Sequence, residues 1–95
     1  MANPETSVNL YEKVPPQNRE AEMSVLGAMF FDETALAKGI EVLSPEYFYD
    51  LRHQHVFSVM SDLFERNQAV DLITVGEELR KRKQLDDVGG ISYLT

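Results

Sequence analysis

The chain has 95 residues, of which 43% are hydrophobic, and this length and composition suit one domain with a single core. Its nine basic and sixteen acidic residues give a net charge of −7, which disfavours tight non-specific binding to nucleic-acid phosphates. Cysteine is absent, so disulfides and thiolate metal sites are excluded, and without a signal-peptide-like or membrane-length apolar run a cytoplasmic protein is expected.

Residues 1–14 are predicted to form a flexible tail, because they show no sustained periodicity. Pro4 and the pair Pro15-Pro16 favour extended backbone before them. Leu10 and Tyr11 are the candidates in this tail for packing against the rest of the chain. Residues 15–95 are predicted to form one helical domain.

A first helix is predicted to begin after Asn18, which is a favourable N-cap residue. Glu20 and Glu22 then fall in the first turn, where the helix dipole favours negative charge. Gly27 within the helix predicts a close approach to a second helix. The apolar stripe of this helix is predicted to consist of Ala21, Val25, Leu26, Ala28 and Met29.

Asp32 predicts the cap of a second helix, and Ser44 with Pro45 predicts the start of a third in the sequence SPEYF. A longer helix is predicted from about Leu51 to Arg66, and it should form the centre of the core. The predicted inner face of the second helix consists of Leu36, Ile40 and Leu43. The predicted inner face of the longer helix consists of Val56, Val59, Met60, Leu63 and Phe64.

Asn67 is predicted to end the longer helix in the left-handed conformation, and Thr74 with Glu77 predicts a T-x-x-E capping box for the next one. Val75 and Leu79 should face inward. The run RKRK at positions 80–83 places positive charge in the last turn, and Gly89-Gly90 predicts a turn with positive φ.

No strand-like alternation of useful length occurs in the sequence. The predicted fold is therefore all-α, a compact bundle of five to six short helices.

The sequence favours binding over catalysis. Its glycines, at positions 27, 39, 76, 89 and 90, do not form a phosphate loop, and no cofactor is expected in this chain. His53 and His55 diverge by about 200° on a helix, which disfavours a shared metal ion. Most aromatic residues are expected in the core, but any of the cluster Tyr47, Phe48 and Tyr49 that are exposed are typical anchors for protein partners.

Four sequence blocks follow one another between Pro15 and Thr95: PPQNREAEMSVLGAMFFD, EYFYDLRHQHVFSVM, VDLITVGEEL and QLDDVGGISYL. In order and spacing they resemble the N-terminal domain of bacterial replicative DNA helicases of the DnaB type.

The resemblance implies a helical head domain without chemistry of its own, followed in the longer protein by a helical hairpin, a linker and an ATPase motor that uses ATP and Mg²⁺. It implies that the heads of a hexamer form a collar and bind the C-terminal helicase-binding domain of primase. This chain is expected to be the isolated head, and to be a monomer or a weak dimer by itself.

Glu20 and Tyr93 match the primase-facing positions of the family, so the resemblance implies that they contact primase. The alternative for Glu20 is a local role at the helix dipole, and for Tyr93 it is partial packing in the core. His53 is expected to pack or to form a hydrogen bond within the head. Two other functions stay open: a head that guides a DNA strand along RKRK, and a free-standing helical adaptor.

Overall fold

The computed structural model describes residues 18–90 and Leu94. They form α1 (Arg19–Phe31), α2 (Glu33–Val42), a 3-10 helix (Pro45–Tyr47), α3 (Leu51–Glu65) and α4 (Leu72–Lys81). This part of the chain contains no strand, which confirms the all-α prediction. It holds four complete α-helices where five to six were predicted. SPEYF forms only a 3-10 turn in which Ser44 makes no side-chain capping bond, and the predicted final helical segment lies mostly outside the described residues. The predicted tail, residues 1–14, lies outside the described residues.

α1 and α2 are joined by a single residue, Asp32, which ends one helix and caps the next. Its Oδ1 accepts hydrogen bonds from the backbone N–H groups of Thr34 at 2.8 Å and Ala35 at 3.4 Å. Asn18 caps α1 in a similar way by accepting from the N–H of Ala21 at 3.1 Å. Both predicted caps are confirmed, and the short connection turns α2 back against α1.

α3 forms the centre of the core, as predicted. It packs against both α4 and α1, and Val75 and Leu79 of α4 are completely buried beside it. The prediction is wrong for Phe64, which is 37% exposed, because the buried face of α3 turns towards Phe57 instead. The buried apolar residues of α3 are Val56, Phe57, Val59, Met60 and Leu63.

The buried face of α1 is narrower than predicted, since only Leu26 and Met29 are buried while Ala21, Val25 and Ala28 are exposed. The predicted close approach of a second helix at Gly27 is also wrong, because no atom in residues 18–90 or Leu94 would lie within 4 Å of a Cβ at that position. The close approach lies at Gly39 of α2. A Cβ there would be 2.8 Å from the sulfur of Met29, so a larger residue would require the flexible end of that side chain to shift.

α4 begins three residues before the predicted Thr74–Glu77 capping box. Asp71 is the N-cap, and its Oδ1 accepts a hydrogen bond from the N–H of Thr74 at 2.8 Å. Thr74 Oγ1 accepts in return from the N–H of Asp71 at 2.9 Å. Aspartate caps at least as well as threonine, and the earlier start adds most of a turn to the helix.

Left-handed residues end both α3 and α4. Asn67 has φ 60°, as predicted, and the next N–H, that of Gln68, donates to the carbonyl of Leu63. Lys83 has φ 61° in the equivalent position after α4, which the sequence did not indicate. The predicted positive φ angles at Gly89-Gly90 are confirmed at 94° and 75°.

Candidate partner-binding surface

A hydrogen-bonded pair, the buried His53 and the partly buried Glu22, joins α1 to the start of α3. His53 is 1% exposed, and its Nδ1 donates to Glu22 Oε1 at 2.6 Å. The same carboxylate accepts from the backbone N–H of Tyr49 at 2.6 Å and of Asp50 at 3.3 Å. One side chain of α1 therefore fixes the backbone that leads into α3.

The expected hydrogen bond of His53 within the domain is confirmed, but its partner was not predicted. Glu22 has the sequence signature of a first-turn acid, and it lies 31 positions before His53. The only available signal is that a histidine on the inner face of a core helix needs a polar partner. The sequence therefore predicts that His53 has a polar partner, but it does not predict which residue that partner is.

Asp50 caps α3 and carries a concentrated charge network. Its Oδ1 accepts from the N–H of Arg52 at 2.9 Å, and the Arg52 guanidinium donates to both carboxylate oxygens, at 3.1 and 2.7 Å. Arg19 of α1 lies 3.4 Å from the same carboxylate. The side-chain hydrogen bond from Arg52 outweighs the effect of burial and lowers the pKa of Asp50 to about 2. Through Arg19, the Asp50 carboxylate therefore forms a second contact between α1 and the start of α3.

The aromatic cluster at residues 47–49 divides between core and surface. Phe48 is buried and packs against Phe57, with ring centroids 5.4 Å apart. Tyr47, Tyr49 and Leu51 are exposed. Since Glu22 holds the Tyr49 backbone, the exposed ring projects from a fixed loop, and fixed aromatic side chains are effective anchors for protein partners.

Glu20 is exposed in the first turn of α1. The same turn holds Arg19 and Glu22, which contact Asp50 and Tyr49, so Glu20 lies at the same end of the domain as the exposed Tyr49. Its carboxylate makes no ion pair within the described residues. Tyr93, the other predicted primase contact, lies outside the described residues, so its relation to Glu20 stays a prediction.

Two of the four basic residues at positions 80–83, both arginines, form ion pairs within the domain. Arg82 donates to Asp62 Oδ2 at 2.6 Å and to Glu78 Oε2 at 3.1 Å, and Arg80 pairs with Glu77. The hydrogen bond from Arg82 lowers the pKa of Glu78. Because these guanidinium groups are already matched by carboxylates, they are less available to phosphates, which weakens the interpretation as a DNA-guiding surface.

Across residues 18–90 and Leu94, no three histidine, aspartate or glutamate side chains are grouped closely enough to hold a metal ion. None of the helices in that part of the chain has both the length and the apolar character needed to cross a membrane.

The surface at the α1–α3 end offers exposed carboxylate, aromatic and aliphatic groups. Such a mixture suits contacts with another protein.

A solved structure has the same fold. The crystal structure of the N-terminal domain of DnaB helicase from Mycobacterium tuberculosis matches with a TM-score of 0.79 and 42% sequence identity, covering 84% of this chain and 56% of that one. The fold is therefore that of a helicase N-terminal domain.

The family model described as DnaB-like helicase N terminal domain matches residues 14–95, and the chain belongs to this family. The replicative DNA helicase DnaB of Geobacillus stearothermophilus is 48% identical over 84 residues, which are 88% of this chain and 18% of that protein. The replicative DNA helicase DnaC of Bacillus subtilis (strain 168) is 49% identical over 86 residues, 90% of this chain and 19% of that protein. The chain thus spans about a fifth of these relatives, and the resemblance drawn from the four sequence blocks is confirmed.

Proposed function

We propose that this domain is a docking platform of a hexameric replicative helicase, which binds the C-terminal helicase-binding domain of primase and neighbouring helicase subunits. The observation that carries the proposal is the accessible Glu20 in a domain of this family. Its carboxylate occupies the position where the resemblance implies a primase contact. Family membership also favours this function over a free-standing adaptor.

The charge and rigidity of the surface support a protein partner. The chain carries a net charge of −7, so a partner with a basic face would be attracted over a distance. Hydrogen bonds from the backbone to Glu22 hold the Tyr49 loop in place before any partner arrives. A surface that is already ordered loses less conformational entropy on binding.

Calorimetry with the primase C-terminal domain tests this surface. Glu20→Lys is expected to weaken binding about 10-fold or more, because charge reversal at an interface costs on the order of 1.4 kcal/mol. Glu65→Lys, an equal charge change at the exposed end of α3, is the matched control and should have little effect. Tyr93→Ala is expected to weaken binding as well. Equal affinity for wild type and Glu20→Lys would remove Glu20 from the interface, and no binding by wild type would refute the proposal.

The motor activity is assigned to another part of a longer protein. We propose that ATP and Mg²⁺ bind in an ATPase domain that follows this head and that six such proteins form the ring. The downstream sequence of the parent gene tests this, since a phosphate loop of the form G-x-x-x-x-G-K-[ST] should be encoded there. Analytical ultracentrifugation of the 95-residue chain should give a monomer or a weak dimer, and a stable hexamer would show that the head alone closes the ring.

A further inference from the structure

A largely apolar groove runs between α1 and α4. Its deeper part has a volume of about 390 Å³ and is lined by residues that include Met23, Gly27 and Phe30 of α1 and Leu72 of α4. A shallower part continues past Phe31 and Ile73. We call these six residues together the α1–α4 groove.

The groove exposes large apolar side chains at its outer end. Phe31 is 87% exposed and Ile73 is 76% exposed, although both belong to regular helices of a folded domain. Gly27 leaves space in the groove wall, because a Cβ there would meet no atom of the described residues within 4 Å. Adjacent exposed apolar groups around an open groove are typical of a surface that binds another segment.

We propose that residues 8–14 of this same chain dock in the α1–α4 groove. This part of the tail lies outside the described residues, and it has the required chemistry, since its apolar side chains are Val8, Leu10, Tyr11 and Val14. Pro15-Pro16 follows directly and favours an extended backbone, which presents side chains to a groove without internal hydrogen bonds. The proposal does not depend on primase binding.

The tail can reach the whole groove. An extended chain spans about 3.3 Å per residue, so the segment from Val8 to Pro15 can cover about 23 Å after the turn. α1 has 13 residues and is about 20 Å long. A tail that turns back near Pro15-Pro16 can therefore lie along α1 as far as Phe31. Because the tail is tethered beside the groove, its effective concentration there is on the order of millimolar, well above that of a second copy in dilute solution.

Paramagnetic relaxation measurements on the full chain test this placement. The chain contains no cysteine, so Asn9→Cys gives a unique site for a spin label. The methyl group of Ile73 reports on the outer end of the groove, and that of Ile40 on α2 serves as the reference. The matched control carries the same label and Leu10→Ser with Tyr11→Ser, which keeps the tail length and removes two apolar side chains.

We expect relaxation enhancement at Ile73 to be at least threefold larger with the native tail than with the serine tail, and to be independent of protein concentration. Equal enhancement in the two tails would overturn the proposal. Enhancement that grows with concentration would also overturn it, since a second copy would then occupy the groove.

Trypsin cleavage after Lys13 provides the reciprocal test from the groove side. Phe31→Ser should accelerate this cleavage several-fold, and because Phe31 is exposed the variant should remain folded. An unchanged cleavage rate would contradict docking.

Discussion

Replacing Glu22 with alanine should destabilise the domain strongly. The change removes the acceptor of three hydrogen bonds, from His53 Nδ1 and from the backbone N–H groups of Tyr49 and Asp50. Leaving a buried donor such as His53 Nδ1 unsatisfied costs about 1–3 kcal/mol. The bond from Asp50 is long, at 3.3 Å, and Tyr49 is accessible to water, so these two donors add little, and we expect a total loss of about 3 kcal/mol.

Urea denaturation followed by far-ultraviolet circular dichroism measures this loss. With a slope of about 1–3 kcal/mol per molar urea for a small domain, the midpoint should fall by about 1–3 M. Glu20→Ala is the matched control, because Glu20 is an exposed acid in the same helical turn and should change stability by about 0.5 kcal/mol or less. Glu22→Gln keeps an oxygen acceptor and should lie between the two.

The reasoning is refuted if Glu22→Ala and Glu20→Ala have the same midpoint. A double-mutant cycle with His53→Ala adds a second check. The pair should show a coupling free energy of about 1 kcal/mol or more, because the two side chains contact each other directly.

The remaining predictions concern stability at low pH, the packing around two glycines and the N-cap of α4. Asp50→Asn should lower the free energy of unfolding by about 2 kcal/mol at pH 7. The pKa of Asp50 falls from 3.8 to about 2 on folding, so the ionised side chain stabilises the domain fully above pH 3.8, and this stabilisation is lost as the pH falls to about 2. Urea denaturation across that pH range should show that wild type loses more stability on acidification than the variant does. Equal losses would contradict the stabilising role of ionised Asp50. In thermal unfolding, Gly27→Ala should raise the free energy of unfolding by about 0.5–1 kcal/mol. Gly39→Ala should be less favourable than Gly27→Ala by about 1 kcal/mol or more, because the Met29 side chain must shift, and an equal gain at both positions would contradict the packing. Asp71→Ala should cost about 1 kcal/mol in urea denaturation and Glu77→Ala less than about 0.5 kcal/mol, and the reverse order would favour the T-x-x-E box.

The ends of the helices follow closely from the sequence, because caps involve residues only two or three positions apart. Asn18 and Asp32 bind backbone groups in the turn that follows them, so residue type and spacing were sufficient. The exception is α4, where Asp71 and Thr74 are both acceptable caps. A local pattern does not decide between two acceptable caps that lie three residues apart.

The contacts between helices do not follow from the sequence in this way. Gly27 and Gly39 both lie within helices, and only the crossing of α1 over α2 decides which one meets a neighbouring side chain. Likewise, no local pattern links Glu22 with His53. The proposed surface residue Glu20 was identified by family resemblance, since its residue type alone suits a helix dipole equally well.

The contact between Glu22 and His53 also bears on the order in which the domain assembles. α1 packs on α2 and α3 packs on α4, and the members of each pair are consecutive α-helices, so both pairs can form through short-range contacts that favour rapid folding. The contact between Glu22 and His53 closes a loop of 31 residues and joins the α1–α2 pair to the α3–α4 pair. We therefore expect stopped-flow kinetics of Glu22→Gln to show faster unfolding with a nearly unchanged folding rate, as for a contact made after the transition state. A slower folding rate would place this contact in the folding nucleus instead.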